Sequence, residues 1–265
     1  MTNRLLNSTP IKFHRSAEHT ASVPPGHAGQ LAEPVTEERL PFTVRLVRND
    51  DDLAKAVQIR HSAYARHVPT FADTLRFPEA SDFEEGIAVL LAESKLDGSP
   101  LGTMRIQTNQ YGPLSLEHSL TLPDSLQGLS LAEATRLGVT GAGAGRLVKT
   151  VLFKAFFLYC QQVGVDWMVV SGRTPVDRQY DSLLFSDVYP GLGYIPLPHV
   201  GNLPHRIMSF EVATAQARWA HAGHPLQHFI FHTRHPDIQL DCGAEAPLGM
   251  RVPTRFQAPS SMHTM

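Results

Sequence analysis

The chain has 265 residues, of which 42% are apolar and 18% charged, and its 23 Lys and Arg oppose 25 Asp and Glu for a formal net charge of −2. This near-neutral balance argues against nucleic-acid binding, which needs a strongly basic face, and no apolar run reaches the ~18 residues of a membrane helix. The N-terminus also lacks the apolar stretch of a secretory signal. Cys160 and Cys242 are too few for a disulfide framework or a four-cysteine zinc site, so we expect a cytoplasmic protein in a reducing compartment.

Composition divides the chain into three parts. Residues 1–41 are rich in Ser, Thr, Pro, Gly and His and bury too little to offset their ordering entropy, which predicts a disordered leader. Residues 241–265 have a similar character and are predicted to be a flexible tail. The folded domain is therefore expected over 42–240, with a core over 42–215 and a His-rich helical extension over 216–240.

The first half of this domain predicts a strand, a helix and a hairpin. Residues 42–47 alternate apolar and polar side chains, as a strand does. The sequence NDDD supplies an N-cap and first-turn acids for a helix that begins near Asp51 and ends before Pro69. The apolar run over 86–92, the turn LDGSP and the segment over 101–109 predict a β-hairpin.

The second half alternates strands and helices. A strand over 131–139 leads into the glycine-rich turn TGAGAG and a helix over 146–162 with a wide apolar stripe. A buried strand over 165–172, a short helix around Tyr180 and a late strand over 204–212 complete the order. This order predicts an α/β fold of the α+β sandwich type, with a mixed, mostly antiparallel sheet flanked by helices.

The glycine-rich turn joins a strand to the N-terminus of a helix, where exposed N–H groups and the positive end of the helix dipole suit a phosphate. Arg146 and Lys149 follow the turn and add positive charge. Its spacing does not meet the dinucleotide-binding fingerprint, and no second βαβ unit follows in register. A tight connection without a ligand is the alternative interpretation.

Four motifs in chain order carry a family resemblance. They are IRHSAY with Arg60 and Tyr64, ASDFEEG with Asp82 and Phe83, GTMR with Arg105, and EATR with Glu133 and Arg136. Over residues 42–215 this order resembles the acyl-homoserine-lactone synthases and the related long-chain N-acyl amino acid synthases, a branch of the Gcn5-related N-acetyltransferase (GNAT) superfamily. The later segments QYDSLLF and HPLQHFIFHTRHPDI resemble the N-acyl amino acid synthases in particular.

The resemblance implies an acyl-CoA N-acyltransferase (GNAT)-like fold whose glycine turn receives the pantetheine arm of an acyl donor. The residues assigned to this acyl and pantetheine site are Leu137, Val139, Gly141, Gly143, Gly145 and Arg146. The superfamily's Q/R-x-x-G-x-G/A pattern for the coenzyme A pyrophosphate is not met, because Gly138 or Thr140 stands at the polar position. The expected donor and partner is therefore an acyl carrier protein, which presents one phosphate on its pantetheine, and no tightly bound cofactor is expected.

The activity implied by the resemblance is transfer of a long-chain fatty acyl group from the carrier-protein thioester to the α-amine of an amino acid. Direct attack by the amine needs a base and a stabilised oxyanion, but no Ser or Cys nucleophile. A partly buried Glu133 with a raised pKa is expected to take the proton, directly or through a water. Arg105 and Arg136 are expected to orient Glu133 or to clamp the acceptor carboxylate. A route through an acylated Cys160 is less favoured, since this residue lies on the packed helix.

Glu133 and Arg136 stand three residues apart, so on a regular strand they point to opposite faces of the sheet. Both line one cleft only if a bulge intervenes or Glu133 precedes the strand. A bulge in this strand is a known feature of the fold that the sequence resembles. The alternative is a structural ion-pair network of Arg105, Glu133 and Arg136 across neighbouring strands.

Five further candidates border the acceptor cleft if the resemblance holds, and each has a simpler explanation. Arg60 and Tyr64 lie one helical turn apart and fit a helix edge equally well. Asp82 and Phe83 lie in an acidic loop, where a solvated charge run is the commoner explanation. Glu93, at the end of its strand, is a reserve general base.

The histidines at 224, 228 and 232 have i, i+4 spacing, but apolar packing explains this segment better and no metal is expected. The helix over 147–159 is expected in the core, and it could also wall an acyl-chain tunnel. Basic residues near the donor arm fit docking of an acidic carrier protein, with scattered surface charge as the alternative: Arg146, Lys149, Lys154, Arg173 and Arg178. A lipid product would allow peripheral membrane association.

Three other functions stay open from the sequence. An acyl-homoserine-lactone synthase would require S-adenosylmethionine, and an ordinary acetyltransferase would use acetyl-coenzyme A. A catalytically silent acyl-carrier or lipid-binding module would bind the carrier without turnover.

Overall fold

The computed structural model describes residues 35–141, 143 and 145–241. Most of the predicted leader, Cys242 and the predicted tail lie outside the described residues. The domain begins earlier than residue 42, because the short strand β1 (Thr36–Glu37) forms. The backbone N–H of Leu40, which is buried, donates to Asp237 Oδ2 at 2.7 Å and ties this segment to the far end of the domain.

A large mixed sheet organises the domain. The strands after β1 are β2 (Phe42–Leu46), β3 (Ile87–Ser94), β4 (Pro100–Thr108), β5 (Leu131–Val139), β6 (Trp167–Gly172), β7 (Ser186–Asp187), β8 (Ile195–Leu197), β9 (Leu203–Glu211), β10 (Thr233–Arg234) and β11 (Ile238–Gln239). The sheet order is β11-β2-β3-β4-β5-β6-β9-β7, and β8 pairs with β9. Pairs from β2 to β5 and the β6–β9 pair are antiparallel, whereas β5–β6 and β11–β2 are parallel. The predicted mixed, mostly antiparallel architecture is confirmed.

Helices cover both faces of this sheet. They are α1 (Asp50–Ala65), α2 (Pro69–Ala72), α3 (Gly145–Val163), α4 (Asp177–Ser182) and α5 (Ala215–His221). Alternate residues of β3 separate the two faces: Val89 and Leu91 pack with α1, whereas Leu90 belongs to the core that includes α3. We call the two sides of the sheet the α1 face and the α3 face.

Local sequence explains both main helices. The side chain of Asn49 caps α1 by accepting a hydrogen bond from the N–H of Asp52 at 2.9 Å. α3 is apolar around most of its circumference, so it becomes the centre of the main core. Gly102 of β4 permits this close packing, since a Cβ atom there would lie 2.6 Å from Val148 Cγ1.

β5 and β6 diverge after their first few residues. Their pairing ends at Ala134 and Val170, although β5 continues to Val139. The second half of β5 therefore has an edge that β6 does not cover. This divergence opens a space in the middle of the sheet.

On its other side β5 carries a bulge. Arg105 of β4 pairs with Thr135, but Thr103, only two residues away, pairs with Gly138. β5 therefore has one residue more than β4 between these two pairs, and Arg136 is part of this bulge. Its φ of 54° is in the left-handed region that non-glycine residues seldom adopt. The bulge that the E-x-x-R motif requires to serve one cleft is therefore present.

The His-rich extension is only partly helical. After α5 it makes a π-helical turn over His228–His232, and then β10 pairs with β1 and β11 pairs with β2. The helical prediction for 216–240 is thus wrong beyond residue 232. Lys154 of α3 binds the C-terminal end of this turn. Its ammonium group donates to the carbonyl oxygens of Phe229 (2.6 Å) and Thr233 and contacts His235 Nδ1 at 2.9 Å. None of the described helices has the length and apolarity to cross a membrane.

Candidate active site

A buried ion pair joins α1 to the loop before β3. Arg60 is fully buried, and its two terminal nitrogens each donate to a carboxylate oxygen of Asp82 at 2.9 Å. Gly138 of β5 makes room for this part of α1, since a Cβ atom there would lie 3.2 Å from the Cα atom of Arg60. Neither simpler interpretation holds for this pair: Arg60 is not at a helix edge in solvent, and Asp82 is not part of a solvated charge run.

Glu79 connects three arginines. Arg136 donates from Nε and Nη2 to the two oxygens of Glu79, both at 2.7 Å. Arg60 and Arg105 donate to Glu79 Oε2 at 3.1 and 3.2 Å. The backbone N–H of Glu79 donates to Asp82 Oδ2 at 2.8 Å, which fixes the two acids relative to each other. We call this set of five side chains the arginine network: Arg60, Glu79, Asp82, Arg105 and Arg136.

Arg105 completes the arginine network from β4. Its Nη1 donates to Ser81 Oγ at 2.7 Å, and its Nε donates to Thr135 Oγ1 at 3.2 Å. Burial opposes ionisation of Glu79, but the hydrogen bonds and charge of Arg136 outweigh it and lower its pKa. The same balance, set by Arg60, lowers the pKa of Asp82. Three guanidinium groups thus face two ionised carboxylates, which leaves one positive charge in excess.

Glu133 lies beside the arginine network but outside it. On β5 it pairs with Gln107 of β4, one position along the face from the pair of Arg105 with Thr135. Its Oε2 accepts a hydrogen bond from the N–H of Leu116 at 3.1 Å, and its buried Oε1 has no hydrogen-bond partner among the described residues. Complete burial raises the pKa of Glu133 to about 7, partly offset by that hydrogen bond and by the nearby positive charge.

Among the described residues, Glu133 forms no hydrogen bond or ion pair with Arg105 or Arg136, so the alternative in which these three residues form an ion-pair network is wrong. The described part of the chain also lacks the direct contact by which these arginines could orient Glu133. The pairing register sets Glu133 opposite Gln107 rather than Arg105, and the bulge turns Arg136 toward Glu79. Glu79 is not among the site residues predicted from the sequence. The E-x-x-D spacing of Glu79 and Asp82 could have pointed to it, because this spacing is typical of a capped short helix, and a 3-10 helix does span Ala80–Phe83.

A cavity of about 380 Å³ opens where β5 and β6 diverge. One wall comes from α1 and α2, one from the second half of β5, and one from the β6–α4 connection with β9. The main side chains of these walls are Tyr64, Arg66, His67, Phe71, Thr135, Arg136, Leu137, Val139, Lys149, Arg173, Tyr180, Leu203 and His205. The arginine network meets the cavity through Arg136.

The walls of this cavity are cationic. Arg66, Arg136, Lys149 and Arg173 line it, and no Asp or Glu is among the described residues of its walls. Arg66 donates to the carbonyl oxygen of Val139 at 2.6 Å, which places its charge at the glycine-turn end. Such walls favour an anionic ligand.

The glycine turn is tight at the described positions. Gly145 begins α3 so close to the preceding chain that a Cβ atom would lie 2.6 Å from the Thr140 carbonyl oxygen. Gly141 lies beside the guanidinium group of Arg66. Of the residues predicted to meet the pantetheine arm, Leu137 and Val139 line the main cavity, whereas Gly143 and Arg146 line a separate depression on α3.

Two other predicted site residues lie away from the arginine network. Glu93 contacts Arg45, at 3.1 Å, and Lys55, and Arg45 also binds Asp52. We call these four side chains the outer cluster: Arg45, Asp52, Lys55 and Glu93. Phe83 is 41% exposed and does not line the cavity.

Burial changes the expected roles of two α3 residues. Lys154 is buried against the C-terminal segment and so belongs to no docking surface. Cys160 is also buried, and burial raises the pKa of its thiol well above the ordinary value. Among the residues that the structure describes, no three His, Cys, Asp or Glu side chains are grouped to hold a metal ion.

Tyr180 is a second residue that sequence analysis did not assign to the site. It lies on α4 and lines the cavity opposite β5. Burial raises the pKa of its phenol, with a smaller contribution from Tyr64, so Tyr180 stays protonated. Tyr64, predicted to border the cleft, lines the cavity and packs on Phe71 with ring centroids 5.7 Å apart.

No family model matches the sequence, and no curated protein matches it. Among solved structures, the chain is similar to FeeM, an N-acyl amino acid synthase from uncultured soil microbes, with a TM-score of 0.53 and 17% identity over 68% of this chain and 96% of that chain. Also similar are BjaI, a coenzyme A-dependent acyl-homoserine lactone synthase solved with S-adenosylmethionine and isopentyl-CoA (TM-score 0.47, 16% identity, 73% and 93% covered), and aminoglycoside 6'-acetyltransferase type Ii (0.43, 12%, 62% and 93%). The chain has the GNAT-like fold.

Proposed function

We propose that this chain, with its GNAT-like fold, is an N-acyltransferase that moves a long-chain fatty acyl group from an acyl carrier protein thioester to the α-amine of an amino acid. The observation that carries the proposal is the cavity between β5 and β6, whose walls are cationic and which abuts the arginine network at Arg136. A phosphopantetheine donor and an amino acid acceptor each bring an anionic group, which these walls favour.

The donor arm fits the uncovered edge of β5. Beyond Ala134 no β6 residue pairs with that edge, so its backbone groups are available to the amides of a pantetheine arm, as they would be to an added strand. Arg66 and Lys149 supply positive charge for the phosphate at the glycine-turn end. A carrier protein presents only one phosphate there, in keeping with a turn that departs from the coenzyme A pattern.

Glu133 is the proposed base. Its pKa of about 7 makes it a stronger proton acceptor than an exposed carboxylate while leaving much of it ionised at neutral pH. Glu133 does not line the cavity, so the ammonium proton of the acceptor reaches it through an intervening water. The free amine then attacks the thioester carbon, a C–N bond forms, and the carbonyl oxygen takes the negative charge beside Arg136.

Collapse of the tetrahedral intermediate breaks the C–S bond and releases the pantetheine thiolate. Tyr180, protonated and facing the cavity, is the proposed donor of a proton to this thiolate. The second proton of the attacking nitrogen replaces the one that the phenol gives up. The products are an N-acyl amino acid and the free thiol of the carrier, and one proton leaves through Glu133.

The test is an assay of the purified full-length protein with palmitoyl carrier-protein thioester and an equimolar mixture of amino acids, read by mass spectrometry. Parallel reactions contain palmitoyl-coenzyme A or acetyl-coenzyme A, each with and without S-adenosylmethionine. We expect N-palmitoyl amino acids without S-adenosylmethionine, formed faster from the carrier thioester. A lactone product that requires S-adenosylmethionine, a product from acetyl-coenzyme A alone, or no product from any donor would overturn the proposal.

The pH dependence of kcat/KM tests the proposed role of Glu133 separately. The kcat/KM should rise with pH through about 7 as the carboxyl ionises. Glu133→Gln should lower kcat on the order of 100-fold or more and remove this rising limb. A variant that retains the wild-type rate and pH profile would reject the assignment.

A further inference from the structure

Arg173, which follows β6, has no ion-pair partner among the residues that the structure describes. It lines the cavity, and its Nη1 is buried with no hydrogen-bond partner among the described residues. The neighbouring Arg206 on β9 is instead paired with Asp181 and Asp187, at 2.8 to 3.1 Å. A buried guanidinium nitrogen without an acceptor is costly, so a cavity that keeps one has a place for an anion.

Arg173 is the first residue after β6, on the side of the cavity that faces the second half of β5. Its positive charge contributes to lowering the pKa of His205 on β9, after burial as the main cause. Both residues line the cavity, so the guanidinium group of Arg173 belongs to the wall formed by the β6–α4 connection and β9.

The other cations of the site either form ion pairs within the arginine network or lie at the glycine-turn end of the cavity. Arg105 and Arg136 are bound by the arginine network, so they are not free to clamp an acceptor carboxylate as the sequence predicted. Arg66 and Lys149 lie at the glycine-turn end, where the donor phosphate is proposed. His205 stays neutral because burial lowers its pKa. Arg173 is the remaining cation on the acceptor side of the described cavity.

We propose that Arg173 binds the α-carboxylate of the acceptor and thereby selects amino acids over amines that lack a carboxylate. This inference rests on the proposed function. A guanidinium fork matches a carboxylate in two parallel hydrogen bonds. No acidic side chain is among the lining residues that the structure describes, which leaves those bonds to the substrate.

The test compares three acceptors that differ only at the carboxylate: leucine, leucine methyl ester and isopentylamine, with palmitoyl carrier-protein thioester as donor. Charge-assisted hydrogen bonds contribute ~1.5–3 kcal/mol, so Arg173→Gln should lower kcat/KM for leucine about 10- to 100-fold, mainly through KM. The ester and the amine should change less than about 3-fold in the same variant, because neither carries the charge that Arg173 binds. Arg173→Lys should fall between the wild type and Arg173→Gln.

Arg178→Gln is the matched control, because Arg178 is an exposed arginine on the adjacent α4. It should leave all three acceptors unchanged. Arg173→Gln should also keep or raise the melting temperature, since it removes an unpaired charge rather than a structural contact. If the wild type acylates leucine and Arg173→Gln keeps the full preference for it over the amine, the assignment of Arg173 is overturned and the proposed function stands. If the wild type acylates no amine, both are overturned.

Discussion

The α1 face of the sheet holds two groups of ion pairs, the outer cluster and the arginine network. They differ in burial, in charge balance and in whether they reach the cavity. The outer cluster has two cations and two anions, and its cations are partly exposed: the side chains of Lys55 and Arg45 are 39% and 26% accessible. In the arginine network, Arg60 and Asp82 are completely buried, and three cations face two anions. The outer cluster is balanced and distant from the cavity, whereas the arginine network is unbalanced and reaches the cavity.

The two groups differ in what their charges contribute to stability. Exposed, balanced ion pairs contribute little to stability because solvent screens them. Burial of charges costs several kcal/mol per ion unless hydrogen bonds and opposite charges compensate. Arg136 adds backbone strain with its positive φ. A protein that keeps such an arrangement beside a cavity has an excess positive charge that can stabilise a developing oxyanion.

The largest effect should come from breaking the buried pair. Asp82→Asn removes the carboxylate that binds both terminal nitrogens of the buried Arg60 and leaves it only the longer contact with Glu79, so we expect the free energy of unfolding to fall by about 3–5 kcal/mol. Asp52→Asn makes the same chemical change in the outer cluster, where Arg45 is partly exposed, and should cost about 1 kcal/mol. Urea unfolding of both variants measures the contrast. Equal losses would mean that burial does not distinguish the two groups.

A second effect should appear in the pH dependence of stability. Burial raises the pKa of Glu133 from 4.5 to about 7, so the folded state binds a proton more tightly than the unfolded state does. The wild type should therefore lose about 3 kcal/mol as pH rises from about 4.5 through 7, relative to Glu133→Gln, which cannot ionise. Unfolding free energies of the two proteins at pH 4.5 and pH 8 test this. Parallel curves would place Glu133 in a solvated environment.

The smallest effect belongs to the outer cluster. Lys55→Met removes a partly exposed cation from Glu93 and should change the unfolding free energy by less than about 1 kcal/mol, with the difference shrinking at high salt. Acyl transfer should stay at the wild-type rate, because Lys55 is not among the described residues that line the cavity. A large loss of activity would extend the site to the far end of β3.

Sequence patterns were sufficient for the framework of this protein. The alternation over 42–47, the NDDD cap and the apolar stripe of α3 fix strands and helices through local chemistry, and the structure has each of them. The order of motifs also placed Arg60, Asp82, Arg105 and Arg136 in one family pattern. Arg60 and Arg105 do contact Asp82, and Arg136 joins them through Glu79.

The pairing inside the site depends on information that local patterns lack. Which acid meets Arg136 is set by the β4–β5 register and by the bulge, and both are products of the assembled sheet. Glu79 lies in a loop, 57 residues from Arg136 in sequence, so no periodicity links the two. Arg173 has no ion-pair partner among the described residues partly because Arg206 of β9 binds the nearby carboxylate of Asp181 on α4, and sequence patterns do not show which arginine takes that acid.

In the proposed function, the arginine network rather than the outer cluster organises acyl transfer. The most direct measurement compares kcat/KM for Glu79→Gln and Glu93→Gln in the carrier-thioester assay, with folding of both checked by circular dichroism. Glu79→Gln removes the charge that holds Arg136 against the cavity and should lower kcat/KM about 100-fold, whereas Glu93→Gln should stay within about twofold of wild type. Equal rates for the two variants, or a larger loss in Glu93→Gln, would contradict this account.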